Sequence, residues 1–331
     1  KFNYPPGVAV DSSGEIYVSD FYNYSIKKIS TGGVITTLAG LASTSGAADG
    51  TGSAAQFDGP QGIAADGSGS AYVADTNNHT IRKITAAGVT SVFAGTAGSA
   101  GSTDGAGSAA RFVSPRALAM DGTGNLYVAD IGDDSIRKIT SAGVVTTFAT
   151  LSGTPWGVAA DGLGNVYILD SSNAVKKVTS AGEVTVFAGD ATSTGSSDGT
   201  GTIARFKNPQ ALVADGACNV YVADTGNYTI RKITPEGVVT TLAGTAGDSG
   251  LTDGIGNDAL FSYPVAVSVD GAGNLYVVDA GLMLIRRITP TGKVTSLAGG
   301  GYNTGAWGSL DGTGPITQFT NIGGIVSDNA G

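Results

Sequence analysis

One cysteine, Cys218, and one histidine, His79, stand in a chain of 331 residues. A single cysteine allows no internal disulfide and no thiolate metal cluster, and a single histidine allows no three-His zinc site. Any Ser–His nucleophile would have to be built on His79. Glutamate is nearly as scarce: of 27 acids only Glu15, Glu183 and Glu236 are Glu. With Lys, Leu and Met also sparse, the good helix formers are missing, which excludes a helical bundle and argues against a helix-rich α/β enzyme. Lys and Arg together number 18 against those 27 acids, for a net charge of −9. Nucleic-acid affinity rests on clustered bases, so no nucleic-acid partner is expected. No apolar run approaches the ~18 residues of a spanning helix, so no membrane span is expected.

What fills the space is glycine, 53 residues of it, with Val, Thr and Asp-Gly pairs. Hydrophobic residues at 41% rule out wholesale disorder. Self-comparison finds one pattern six times, roughly P-x-G-V-A-x-D-G-x-G-N-x-Y-V-A-D-x-x-N-x-x-I-R-K-I-T-x-x-G-x-V-T-x-x-A-G. Its first Asp falls at Asp11, Asp66, Asp121, Asp161, Asp215 and Asp270, and again at Asp328, in steps of 55, 55, 40, 54, 55 and 58 residues. The units begin near Pro6, Gln61, Arg116, Trp156, Gln210 and Val265. Each holds four short β-type runs joined by turn chemistry; in the fifth they read 211-ALVAD, 220-VYVAD, 229-TIRKIT and 238-VVTTLAG. Four antiparallel strands repeated six times predict an all-β, six-bladed propeller forming one domain over residues 1–331, with seven blades as the alternative.

The third run carries Asn-x-x-Ile-Arg-Lys-Ile, seen as 23-NYSIKKI, 78-NHTIRKI, 173-NAVKKV and 227-NYTIRKI, while 133-DDSIRKI and 282-LMLIRRI have lost the Asn. This pattern resembles the NHL repeat family over nearly the whole chain, and the Gly- and Asp-rich composition suits a bacterial member. The resemblance implies a propeller. The family includes protein- and RNA-binding modules, and related six-bladed propellers include amidating lyases and lactonases.

Between most units lies an insert: 49-DGTGSAAQFDGP, 104-DGAGSAARFVSP, 198-DGTGTIARFKNP, 253-DGIGNDALFSYP and a degenerate 311-DGTGPITQF. It reads as a turn, an N-cap and one helical turn whose Phe tucks under the loop, and it is expected to tile the face that carries the second-to-third-strand loops. The link into Trp156 lacks it. A surplus first strand is expected at 322–331, either because the chain is cut from a longer array or because that strand helps close the ring.

Second runs end in Asp20, Asp75, Asp130, Asp170, Asp224 and Asp279, and third runs hold Lys27-Lys28, Arg82-Lys83, Arg137-Lys138, Lys176-Lys177, Arg231-Lys232 and Arg286-Arg287. Features repeated in every unit read as scaffold, with one base of each pair meeting a strand-end Asp, because adjacent strand residues point to opposite faces. The first-run Asp set reads as turn formers, and Cys218 as a turn residue where other units have Gly. The insert Asp residues read as turn formers too, with calcium as the alternative although one carboxylate per loop is far from a full ligand set. No metal site, catalytic residue or resident cofactor is assigned. The positions where units disagree carry the site: Gln61, Arg116, Trp156 and Gln210, leading into first strands, are expected to ring one mouth of the propeller, Trp156 either as anchor or as filler for the missing insert.

The sequence thus reads as a non-catalytic recognition or scaffold module, secreted or at the cell surface, binding a protein or carbohydrate ligand. The alternatives are a structural subunit of a surface assembly or filament, self-associating through edge strands, and a lyase- or lactonase-like propeller enzyme.

Overall fold

A computed structural model describes residues 2–299 and 308–328. It is an all-β six-bladed propeller of six antiparallel sheets. Blade 1 is Gly7–Val10, Ile16–Asp20, Ser25–Ile29 and Ile35–Ala39; blade 2 is Pro60–Ala65, Ala71–Asp75, Thr80–Ile84 and Val89–Gly95. Blade 3 is Pro115–Met120, Leu126–Asp130, Ser135–Ile139 and Val144–Thr150; blade 4 is Pro155–Ala160, Val166–Asp170, Ala174–Val178 and Val184–Gly189. Blade 5 is Ala211–Ala214, Val220–Asp224, Thr229–Ile233 and Val238–Ala243; blade 6 is Pro264–Val269, Leu275–Asp279, Leu284–Ile288 and Lys293–Ala298. The chain forms two compact units, Lys1–Val166 with Val178–Val184, and Tyr167–Lys177 with Thr185–Gly331. Blades 1 to 3 belong to the first, blades 5 and 6 to the second.

The first hairpin of each blade is nucleated by its Asp. Asp11 Oδ1 accepts from the backbone N–H groups of Ser13 and Glu15 at 2.9 and 3.1 Å, and Oδ2 from the Tyr17 hydroxyl at 2.9 Å. Asp121 and Tyr127 repeat this, as do Asp215 and Tyr221. Cys218 occupies the turn at φ +61, where its counterparts are glycines near +80.

Second strands run sandwiched between neighbouring sheets, so all five residues of Ala71–Asp75 and of Leu126–Asp130 are buried rather than alternating. The core accordingly lies between blades: Tyr72, Ala74 and Ile81 of blade 2 pack with Phe112, Leu126, Val128 and Ile139 of blade 3. Where first strands approach each other the backbone must be bare. A Cβ on Gly62 would fall on the Arg116 carbonyl oxygen of the next blade.

The inserts depart from expectation. The four full inserts are each a two-residue strand and one 3-10 turn, Gly50–Thr51 with Gly52–Ala54 in the first case, whereas 311–319 shows only the 3-10 turn Gly314–Ile316 among the described residues. The strand adds a fifth, outermost member to the blade that follows, Gly50 opposite Thr90 and Thr51 opposite Val89. The same happens in blades 3, 5 and 6. The start of each full insert therefore lines an outer blade edge, while its end meets the second-to-third-strand loop, the Thr76 N–H donating to the Gly59 carbonyl and the Asn77 N–H to the Asp58 carbonyl. No side chain caps the turn, because the Ser, Thr or Asn meant as N-cap lies inside it; backbone bonds hold it instead, the Gly52 N–H to Gly88 and the Gly40 N–H to Gly52. The Phe does tuck under: Phe57, Phe112, Phe206 and Phe261 are fully buried. Blades 1 and 4 have four strands only. Residues 322–328, expected as a surplus first strand, lie outside the six sheets, although the Ser327 N–H donates to Ser268 Oγ at 2.8 Å; residues 329–331 lie outside the described residues.

Candidate ligand-binding face

In blades 2 to 6 the strand-end Asp and the first base of the pair form an internal clamp. A bulge in the ladder between strands three and four falls between Ile81 and Arg82, and recurs before Arg137, Arg231 and Arg286. Arg82 is fully buried, with Nη1 at 3.0 Å from Asp75 and 2.8 Å from the Gln56 carbonyl, and Nη2 at 2.7 Å from Asp49 and 3.0 Å from the Ala48 carbonyl. Its guanidinium stacks 5.2 Å from the Phe57 ring centre. One arginine thus ties the insert's Asp and Phe to the strand-two Asp. The second base of the pair points the other way: Lys83, Lys138, Lys177 and Lys232 sit over Tyr72, Tyr127, Tyr167 and Tyr221. Blade 4, without an insert, uses Lys176 on Asp170. In blade 1 the clamp is absent: Lys27 bonds Thr37, and Asp20 instead accepts from the Asn3 N–H and Asn23.

Burial pushes Asp75 up to about 6 against the hydrogen bonds from Asn78 and the Asp58 N–H and the Arg82 charge, and burial likewise raises Asp130 to about 6. Burial also raises Asp224 and Asp279. The hairpin acids behave oppositely. Burial would raise Asp11, Asp121 and Asp270, but the bonds they accept outweigh it and hold all three below the usual carboxylate range. Neither set forms a cation ring; among the described residues, no three His, Cys, Asp or Glu side chains gather as a metal-ligating group.

Clefts of about 480 and 370 Å³ lie between adjacent first hairpins, one at Asp215 and Asp270, the other at Asp11, Glu15, Lys28 and Gly67. They occupy the same place in successive blade pairs and belong to the repeat.

The opposite end of the blades is irregular in chemistry but regular in backbone. In blades 1, 2 and 5 a 3-10 turn follows strand two and ends on a left-handed residue. Those residues are Tyr24, His79 and Tyr228, and Asp134 and Met283 take the same conformation in blades 3 and 6. Such backbone is costly for bulky side chains. The Nδ1 of His79 is buried without a hydrogen-bond partner.

The four residues expected at the rim all sit at the start of first strands. Gln61, Arg116 and Trp156 fall on successive first strands of the first unit, which pack side by side. Gln61 is half-buried, its carbonyl accepting from Ser19 Oγ at 2.6 Å; Arg116 is exposed; Trp156 is half-buried, its indole N–H shielded and without an acceptor. Gln210 belongs to the second unit and donates to Asn208 Oδ1 at 2.8 Å. What sequence reasoning missed is Tyr4, just before the first strand of blade 1, which packs on the Phe21–Tyr22 loop.

The NHL repeat family model matches residues 2–29 and 57–84. NHL repeat-containing protein 2 of Gallus gallus is 29% identical over 352 residues, 99% of this chain and 44% of its own length, so the chain spans less than half of that relative. Among solved structures, virginiamycin B lyase from Staphylococcus aureus superposes with a TM-score of 0.63 at 15% identity, covering 88% of this chain and 83% of the lyase. An auxiliary nutrient binding protein from Bacteroides ovatus gives 0.60 at 13%, covering 98% and 93%. Identities this low speak for the fold alone. The family's repeat matched on blades 1 and 2, with the same hairpin chemistry recurring beyond them, supports an NHL-repeat β-propeller.

Proposed function

We propose that this chain is a non-catalytic recognition module, outside the cell or at its surface, that binds a protein or glycan ligand on the face carrying the second-to-third-strand loops. One observation carries the reading: Tyr24, His79, Asp134, Tyr228 and Met283 share one left-handed backbone geometry and no common chemistry. A scaffold position repeats its side chain; these repeat only their display. The likeness to a nutrient-binding propeller is consistent with ligand binding. RNA is disfavoured because Arg82, Arg137, Arg231 and Arg286 are fully buried and cannot reach phosphate. A lyase or lactonase reading has less support, since no first strand holds Glu or His.

Trp156, with an unused indole donor beside exposed Arg116, is the proposed anchor of the rim. A glycan array and a displayed peptide library, probed with the wild-type chain and with Trp156→Ala, test this. Loss of the selected ligand with little change in melting supports the reading. Retained binding with a stability loss of about 3–5 kcal/mol would make Trp156 packing alone and refute it.

A second reading, a structural subunit, draws on the bare edges of blades 1 and 4. There Ile35 and Val184 are exposed where Thr90, Val145, Val239 and Val294 are buried in the blades that have a fifth strand. Light scattering after a sizing column distinguishes it: a monomer at high concentration removes it.

A further inference from the structure

The second-to-third-strand loop of blade 1 departs from its counterparts in a single direction. The backbone scaffold is the common one. In blade 2 the Asp58 N–H donates to Asp75, the Thr76 N–H to the Gly59 carbonyl and the Asn77 N–H to the Asp58 carbonyl. In blade 1 the Asn3 N–H donates to Asp20, the Phe21 N–H to the Tyr4 carbonyl and the Tyr22 N–H to the Asn3 carbonyl. The side chains on that scaffold differ. Tyr4 stands where blades 2 and 5 have Gly59 and Asn208, all three at positive φ, a conformation that a ring-bearing residue rarely adopts.

Phe21 stands where Thr76 and Thr225 donate buried hydrogen bonds to Pro115 and Pro264 of the next blade, bonds that Phe21 cannot make. Tyr22 stands where blades 3, 5 and 6 have Gly132, Gly226 and Gly281, and a Cβ at any of these would press on Val113, Lys207 or Ser262. Blade 1 carries an aromatic ring at all three positions, whereas the other blades have only one, Tyr263 at the Tyr4 position of blade 6.

The three rings form one cluster. Tyr4 and Phe21 meet edge to face at 5.9 Å between centres, Phe21 and Tyr22 at 4.9 Å, and Tyr4 and Tyr22 at 5.7 Å. Tyr4 is 57% and Tyr22 54% exposed, against 7% for Tyr72, which lies under Lys83. Among the described residues no Lys or Arg stacks on the cluster, whereas strand-two tyrosines in blades 1 to 5 each take a lysine. Its polar neighbours are amides: Asn3 is exposed, and Asn77 is exposed with its Nδ2 on Asp58, leaving its carbonyl oxygen outward. Phe21 reaches blade 2, its ring edge lying within 3.2 Å of where a Cβ on Gly59 would be.

We propose that Tyr4, Phe21 and Tyr22, flanked by Asn3 and Asn77, form a stacking platform for the pyranose rings of a neutral oligosaccharide. Open aromatic faces pack against the C–H face of a sugar, and neighbouring amides bond its hydroxyls in both directions. Among the described residues no cation stacks on the rings, which suits an uncharged ligand. The proposal rests on the recognition reading given above, and names a ligand class and a subsite distinct from Trp156.

Isothermal titration of the wild-type chain with cellohexaose, laminarihexaose and chitohexaose tests it, with decaproline as the competing probe. At least one hexasaccharide should bind, with affinity unchanged between low and high salt. Tyr22→Ala and Tyr4→Ala should each weaken it at least tenfold, and Tyr22→Phe less than threefold. Circular dichroism checks folding, and the exposed position of Tyr22 makes its truncation tolerable. Loss on Trp156→Ala with Tyr22→Ala unchanged would overturn the platform and spare the recognition reading. Binding of decaproline but of no sugar would overturn the ligand class, and no binding of any probe to the wild type would overturn the proposal.

Discussion

Arg231 offers the strongest test of how a blade is held together. It is fully buried, with Nη1 at 2.8 Å from Asp224 and 2.9 Å from the Arg205 carbonyl, and Nη2 at 2.7 Å from Asp198 and 3.0 Å from the Ser197 carbonyl. Replacing it by Met keeps much of the volume over Phe206 but strips Asp224 of its counter-charge. Breaking a buried pair from one side costs about 3–5 kcal/mol, and a carbonyl left without its donor adds about 1 kcal/mol. Asp198 is half exposed, so its share is under about 1 kcal/mol. The expected loss is about 4–6 kcal/mol. An unfolding entropy of about 2.1 cal/mol/K per residue makes each kcal/mol worth about 1.5 °C in a chain of this length, so melting should fall by about 6–9 °C.

The cause is separable from mere packing. Adding Asp224→Asn to Arg231→Met removes the orphaned charge and should recover a good part of the loss. The single variant should also be penalised less at pH 5 than at pH 7.5, because an unpaired buried Asp224 takes up a proton. A single variant within about 1 kcal/mol of wild type, or a double variant no better than the single, would refute the reasoning.

Acid titration should show two regimes. Asp75 and Asp130 bind protons more readily folded than unfolded, so between about pH 6 and 4 their contribution rises as pH falls; Asp11, Asp121 and Asp270 are held low, and their contribution is lost as pH falls below about 4. Chemical denaturation across this range should therefore show little loss to about pH 4.5 and a steep loss below 4; a steady decline from pH 7 would contradict it. Cys218→Gly relieves a left-handed non-glycine turn and should stabilise by about 0.5–1 kcal/mol in urea unfolding, a destabilisation counting against the turn assignment. Gly62→Ala should destabilise by more than about 2 kcal/mol, because the new methyl meets the Arg116 carbonyl; a neutral result would mean the first strands separate easily.

The repeat made the fold legible, since a hairpin Asp, a strand-ending Asp and a basic pair at fixed spacing describe one blade six times over. It also made the clamp legible, because adjacent strand residues must face opposite ways, and Arg82 and Lys83 do. The start of each full insert was misplaced for a physical reason. Gly50–Thr51 is a strand only by virtue of Val89–Thr90, some 40 residues downstream, and two residues carry no periodicity of their own. The variable positions Gln61, Arg116 and Trp156 could be found by comparing units, but the shielded, unused indole N–H of Trp156 could not. Tyr4 escaped because that position varies from unit to unit without pattern, Gly59, Ser114, Thr154, Asn208 and Tyr263, and its partnership with Phe21 and Tyr22 exists only once the strands are paired.

The fifth strand has a consequence for how such a chain can grow. The segment that finishes a blade precedes it in the sequence, so the self-sufficient module runs from the end of one outer strand to the end of the next, as in residues 41–95. A gene duplication cut at that boundary carries its own edge protection and its own clamp acid, Asp49 for Arg82. Cut at the first strand instead, the copied blade arrives uncovered. The shorter 40-residue step into blade 4 is what a copy without its leading segment looks like.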